Sequence, residues 1–376
     1  MKKNIVITGS SGFIGKNLIQ SLIYQHKNFN VITISHNSSD KLIKLKLLKA
    51  DFIIHLAGVN RPKNKSLFDD NFNFTSKICE ILKFSKKRIS IIYSSTAHID
   101  KKNKSQSHII KRYVMSKLKA EKMLKNLSLK NNINLSIFRL PHVIGKYAKP
   151  NYNSVIATFC YNIARDKSIK ISKEDPFLEI IHIDKLNDKF LKVIYSNKKK
   201  YNWNIFRPKQ FNVNVSTIAK KLVLINKSII DNYIFRPINS FDKILYSTFI
   251  TYLPKNKIIQ KIKTNNDKRG NFSEIFKSKE FGQISFFTSL NNTSRGNHYH
   301  NLKCEIFLVV SGRAEYLSKN IFSNIKKKTI LTDNNLRIIR TIPGEIHSIK
   351  KIGKKDLIVL VWSNEIFNVN SPDTYS

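Results

Sequence analysis

The run Asn4-Ile5-Val6-Ile7-Thr8-Gly9-Ser10-Ser11-Gly12-Phe13-Ile14-Gly15 decides the fold. Its apolar residues read as a short first strand, and the glycines form a GxxGxxG turn that opens directly into a stretch, Lys16–Tyr24, with apolar residues three and four apart. Glycines let a backbone turn tightly and lie close to a pyrophosphate, whose charge then faces the free amides of a helix N-terminus. Gly9, Gly12, Phe13, Ile14 and Gly15 are therefore candidate dinucleotide contacts. The apolar stretch is too short for the core of a signal peptide.

Outward from this turn, short apolar segments alternate with amphipathic ones. Strands are predicted at 4–8, 31–35, 52–56, 89–94 and 135–140, and helices at 16–24, 73–84 and 113–127. That alternation predicts an α/β, Rossmann-type, doubly wound parallel sheet. Near Tyr252-Leu253-Pro254-Lys255-Asn256 the texture changes to short strands at 283–288, 305–310, 336–342 and 357–362, which predicts an all-β second domain. The expected domains are residues 1–250 and 257–376. A length of 376 residues suits two cores.

The cysteines Cys79, Cys160 and Cys304 are odd in number and form no CxxC pair, so a reducing cytoplasm is expected. No apolar run reaches the roughly 20 residues that span a bilayer, so no membrane partner is expected. The formal charge of +42 is mostly lysine, spread along the whole chain without a nucleic-acid-binding motif. Lys198–Lys200 and Lys326–Lys328 read as solvated loops and no nucleic-acid partner is expected, although a positive field would attract an anionic nucleotide.

At the end of the second strand stands Ser35-His36-Asn37, without the acid that would accept from an NAD ribose. Polar donors there, with Lys41 nearby, favour NADPH over NAD, Asp40 being the alternative acid. Tyr113-Val114-Met115-Ser116-Lys117 puts a phenol and an ammonium on one helical face, where the charge is expected to lower the phenol's pKa. A strand ending in Ser94-Ser95-Thr96 offers a hydroxyl to a substrate carbonyl. Together with His55-Leu56-Ala57-Gly58, these features resemble the extended short-chain dehydrogenase/reductase family of nucleotide-sugar epimerases, dehydratases and reductases. The resemblance implies that Thr96, Tyr113 and Lys117 are catalytic and that Leu56, Ala57, Gly58 and Asn71 line the cofactor, to which Ser35 and His36 are candidate contacts from their place at the end of the second strand. It also matches Arg139 and His142 to a substrate-contacting Arg-x-x-Asn-x-x-Gly motif, with His142 in place of Asn.

In the second domain, Gly296-Asn297-His298-Tyr299-His300 is followed by Glu305, Gly312 and Pro343-Gly344-Glu345-Ile346-His347. Histidines at i and i+2 of a strand share a face, and a carboxylate on the next strand can complete a metal site. His298, His300, Glu305 and His347 are thus candidate ligands for Zn2+ or another divalent ion. The pattern resembles the cupin, or jelly-roll, motifs. The segment Asp267–Glu274, with Gln283, is similar to cupin epimerases of 4-keto-6-deoxy nucleotide sugars, which implies substrate contacts from Arg269, Glu274 and Gln283. In those enzymes the residue aligned with His298 is the proton-abstracting base, a role that competes with metal ligation.

The order of the two domains, the segment Lys149–Tyr161 and the segment Ser371–Tyr375 resemble a family of bifunctional capsular polysaccharide enzymes. That resemblance implies a homodimer acting on a UDP-sugar, with Asn153 at the substrate. The cupin would epimerise C3 of a UDP-4-keto-6-deoxy-N-acetylhexosamine, and the reductase would reduce C4 with NADPH. The product would be UDP-N-acetyl-6-deoxy-L-talosamine, a precursor of UDP-N-acetyl-L-fucosamine. Two other readings stay open: a reductase with a purely structural cupin, and a nucleotide-binding protein with a dead site.

Overall fold

The computed structural model describes residues 2–35, 37–60, 68–85, 87–100, 108–131, 133–196, 202–323 and 325–376. Two compact units are present: Met1–Val223 with Pro237–Leu253, and Leu224–Arg236 with Pro254–Ser376.

In the first unit the chain runs β1 (Lys3–Thr8), α1 (Phe13–Tyr24), β2 (Phe29–Ile34), α2 (Asp40–Lys49), β3 (Phe52–His55), α3 (Asp69–Leu82), β4 (Ile89–Thr96), α4 (His108–Lys130) and β5 (Ile133–Leu140). It continues through β6 (His142–Ile144), α5 (Val155–Ile163), β7 (Phe177–His182), α6 (Ile183–Tyr195), β8 (Trp203–Phe206), β9 (Phe211–Asn214), α7 (Val215–Ile230), whose residues from Leu224 onward group with the second unit, and α8 (Ser240–Ile250). The main sheet has the order β2-β1-β3-β4-β5-β8, and every pairing is parallel. Strand alternation sends Val6, Ile53, Ile91 and Leu135 to a core shared with α2, α3 and α4, while Ile5, Ile54, Ile92 and Phe138 face α1 and α6. A sheet apolar on both faces and covered on both is the expected doubly wound form. The strand order reverses beside β1, so a crevice opens between the carboxyl ends of β1 and β3. The smaller sheet β6-β7-β9 was not foreseen, because its three- to six-residue strands carry too short a pattern.

The second unit follows with α9 (Lys255–Ile258), β10 (Thr264–Asp267), β11 (Gly270–Ser278), β12 (Gly282–Ser289), β13 (Ser294–His298), β14 (Glu305–Ser311), β15 (Arg313–Asn320), β16 (Lys326–Thr332), β17 (Ile338–Arg340), β18 (Glu345–Lys351) and β19 (Leu357–Ser363). Two antiparallel sheets, β10-β11-β12-β19-β14-β17 and β13-β18-β15-β16, contribute to one core of Phe287, Phe307, Val309, Ala314, Tyr316, Leu331, Ile349, Val359 and Val361. Leu224–Arg236, inside the expected first domain, groups here because Ile234 and Asn232 exchange backbone hydrogen bonds with Lys277. Lys326–Lys328 open β16 as exposed strand residues rather than a loop, and Lys198–Lys200 lie outside the described residues. No described helix is long and apolar enough to cross a membrane.

Candidate functional site

A cleft of about 1440 Å³ opens at the carboxyl end of the parallel sheet. One wall is the turn between β1 and α1, where Gly9, Gly12, Phe13, Ile14 and Gly15 all line the space. Gly15 has no room for a side chain, since a Cβ there would lie 2.3 Å from the Gly9 carbonyl oxygen. Such a cradle of bare backbone at a helix N-terminus fits the pyrophosphate of a dinucleotide. Leu56 and Gly58 line the cleft from the end of β3. Ala57 donates its N–H to the Thr8 hydroxyl at 3.2 Å, and that hydroxyl also meets His55 Nδ1 at 2.8 Å. Buried His55 is held neutral, its pKa depressed to about 3 by burial and by Lys117.

Asn71 stands behind this wall rather than along it. Its Oδ1 accepts from Val59 N at 2.7 Å, and its Nδ2 donates to Val59 O and to Ser116 Oγ. Ser35 is exposed at the end of β2, its hydroxyl 3.4 Å from that of Ser38, and His36 lies outside the described residues.

Thr96, Tyr113 and Lys117 face the same cleft, the first from the end of β4 and the others from successive turns of α4. Lys117 is fully buried, donates to the Ser94 carbonyl at 2.9 Å and lies 4.9 Å from the Tyr93 ring centroid. Burial lowers its pKa to about 8, against the pull of Glu121. Lys117 was expected to lower the Tyr113 phenol, but here burial pushes that phenol up to about 12, with a hydrogen bond to Thr96 working against the rise. The ammonium is spent on Ser94 instead. Tyr113 is consequently a protonated phenol at neutral pH, able to give a proton to an oxygen in the cleft.

His142 and Asn153 line the cleft, whereas Arg139 does not. The Arg139 guanidinium is taken by Glu121, at 3.1 and 2.7 Å, and by Asp100 at 2.5 Å, and Asp100 also binds Arg207. Glu121 further accepts the Ser95 hydroxyl at 2.6 Å. The Arg139 guanidinium, expected at the substrate, is thus engaged in a partly buried ion network with Glu121 and Asp100.

The second cluster draws on both antiparallel sheets, with His298 on β13, Glu305 on β14 and His347 on β18. His298, His300, Glu305 and His347 bring their ligand atoms within 4.8 Å of one another. A bulge at Gly296 (φ +98°) sets the register against β18, and a Cβ there would strike the His347 carbonyl at 2.6 Å. The His298 ring centroid is 4.8 Å from that of His300 and 4.9 Å from that of His347. The Nε2 atoms of His300 and His347 are buried without a hydrogen-bond partner, although each lies about 3.5 Å from Glu305 Oε2. Orphaned imidazole nitrogens beside one carboxylate are a donor set that suits a divalent metal ion. Burial depresses the His298 pKa to about 4, helped by its two imidazole neighbours. Burial alone would raise the Glu305 carboxyl, but His300, His347 and Lys303 hold it well below its usual range.

Gln283 stands two strands from Glu305 in the same inward row, Gln283–Ser363–Glu305. It uses its Oε1 on Phe367 N at 3.0 Å. Glu274 is outside the four-residue cluster and pairs with Lys277, and Arg269 pairs with Asp267 at 2.6 Å. Asp267 also reaches Arg295, which was given no role from sequence.

The NAD dependent epimerase/dehydratase family matches residues 5–206, and the polysaccharide biosynthesis C-terminal domain matches residues 265–375. The chain belongs to the NAD dependent epimerase/dehydratase family. Within the wider set of relatives, a UDP-2-acetamido-2,6-beta-L-arabino-hexul-4-ose reductase from Pseudomonas aeruginosa is 33% identical over 373 residues, 99% of this chain and 98% of its own. The crystal structure of the capsular polysaccharide assembling protein CapF from Staphylococcus aureus matches with a TM-score of 0.86 at 32% identity, covering 99% of both chains. The UDP-glucose 4-epimerase of Thermotoga maritima, a more distant epimerase/dehydratase fold, covers 66% of this chain and 98% of its own at 16% identity and a TM-score of 0.54. The similarity to the reductase and to the capsular polysaccharide assembling protein thus extends over the whole chain, not only its first half.

Proposed function

We propose that this chain is a two-step nucleotide-sugar enzyme of capsule or O-antigen synthesis, a reductase over residues 1–250 joined to a jelly-roll cupin over residues 257–376. The cupin epimerises C3 of a UDP-4-keto-6-deoxy-N-acetylhexosamine, and the reductase then reduces the C4 ketone with NADPH. The product is UDP-N-acetyl-6-deoxy-L-talosamine, made in the cytoplasm by a homodimer. One observation carries the reading: the glycine turn, the Thr96–Tyr113 hydrogen bond and Lys117 share one cleft in a chain similar end to end to a 4-ulose reductase.

NADPH, when bound, supplies the hydride. Around it the chain's own residues do the rest. The turn from Gly9 to Gly15 holds the pyrophosphate with backbone amides, and Leu56 and Gly58 line the cleft beside it. Thr96 orients the C4 ketone oxygen, and Tyr113 passes its phenolic proton to that oxygen as negative charge develops there. Lys117 holds the wall through Ser94 and carries its charge into the same cleft.

The first step needs a base at C3, where the neighbouring ketone acidifies the hydrogen, and a proton returned on the opposite face. A divalent ion held by His298, His300, Glu305 and His347 would supply Lewis acidity toward the ketone oxygen. We assign His298 to the metal, since its ring completes the cluster with His300 and His347. A second reading, a structural metal with no epimerase activity, is favoured by the four protein donors, enough to close a tetrahedral site.

The reductase half is tested by following NADPH consumption with the 4-keto sugar as substrate. Wild-type protein should consume NADPH in step with substrate, and Tyr113→Phe should lose about 100-fold or more of the rate. No consumption by wild-type protein, or full activity in Y113F, would overturn the assignment.

A further inference from the structure

The segment Ser371–Tyr375 takes no part in the chemistry above, yet it is bonded to the loop that carries the metal ligands. His300 and Glu305 are joined by residues 301–304, which belong to no strand. The Asp373 carboxylate accepts the backbone N–H groups of Asn301, Leu302 and Lys303 at 2.9, 2.6 and 2.7 Å. Its backbone carbonyl lies 2.5 Å from His300 Nδ1. Beside it, Thr374 accepts from Lys303 Nζ at 3.1 Å, and Tyr375 exchanges both backbone hydrogen bonds with Tyr299.

Two consequences follow from these bonds. A carbonyl can only accept, so Nδ1 of His300 carries the proton and Nε2 keeps its lone pair toward Glu305 and His347. Three amides converging on one carboxylate fix the curvature of the loop, and with it the spacing of His300 and Glu305.

We propose that Asp373 is the positioning residue of the metal centre: it shapes the loop from His300 to Glu305 and fixes the His300 tautomer, so that the site is formed before a cation arrives. This rests on the metal-binding reading of the cluster. Partners of this kind behind a ligand change metal affinity by roughly 10–100-fold when removed.

The experiment uses the full chain stripped of metal, with Zn2+ affinity read by competition against a chromophoric chelator and geometry read from the visible spectrum of the Co2+ form. Wild-type protein should bind one Zn2+ and His347→Ala should not; a wild-type chain that binds none would defeat the metal reading itself. Given wild-type binding, Asp373→Ala should lose about tenfold or more in Zn2+ affinity, with an altered Co2+ spectrum and unchanged NADPH affinity. D373N keeps one acceptor oxygen and should fall between the two, and it alone decides if D373A fails to fold. Wild-type affinity and spectrum in the folded variants would overturn the assignment of Asp373 while leaving the metal site standing.

Discussion

At Arg139 two roles compete for one guanidinium. Sequence pattern assigns it to substrate, but the structure gives it to Glu121 and Asp100 in a buried network. Removing one partner of such a network leaves an uncompensated buried charge, which costs about 3–5 kcal/mol. Arg139→Ala should therefore lower stability by that amount in chemical denaturation, with the KM for nucleotide sugar within about twofold where folded protein survives. A tenfold rise in KM at unchanged stability would return Arg139 to the substrate. Lys117 makes a second prediction at this scale. Its pKa is depressed to about 8, so the ammonium is present below that pH and lost above it. Reductase kcat/KM should fall as pH rises past about 8, and a flat profile through pH 9 would show that the charge on Lys117 is not needed.

Among the elements, the turn into α1 sets two effects against each other. Alanine improves helix propensity over glycine by about 1 kcal/mol, but at Gly15 its Cβ would sit 2.3 Å from the Gly9 carbonyl oxygen. The steric overlap should win: Gly15→Ala should weaken NADPH binding by about tenfold or more in a fluorescence titration, and wild-type affinity would contradict the cradle. Local elements of this sort were legible in the sequence, because the glycine spacing, the i and i+4 relation of Tyr113 and Lys117, and the alternation in β1 are all short-range. The strand end at Thr96 was also foreseen, within two residues. What escaped was long-range. Glu121 and Asp100 lie 18 and 39 positions from Arg139, and Asp373 lies 70 or more from the amides it binds, so no periodicity reports either contact.

Across the whole molecule, each unit carries its own chemistry: a crevice at the reversal of a parallel sheet in the first, and an imidazole–carboxylate cluster between two antiparallel sheets in the second. The change of texture near Pro254 was readable because helical periodicity stops there, whereas the grouping of Leu224–Arg236 with the second unit depends on pairing with Lys277. In the two-step reading proposed above, both reactions require the same 4-ketone, which gives one chain a reason to hold both sites: the first step needs the ketone to acidify C3, and the second removes it. The most direct test of that claim is turnover in buffered D2O, with the product examined by NMR. Deuterium at C3 together with a hydride-derived hydrogen at C4, and loss of the C3 label alone in His347→Ala, is the predicted result. A reduced product with no deuterium at C3 in the wild-type enzyme would contradict the two-step account and leave the cluster a structural metal site.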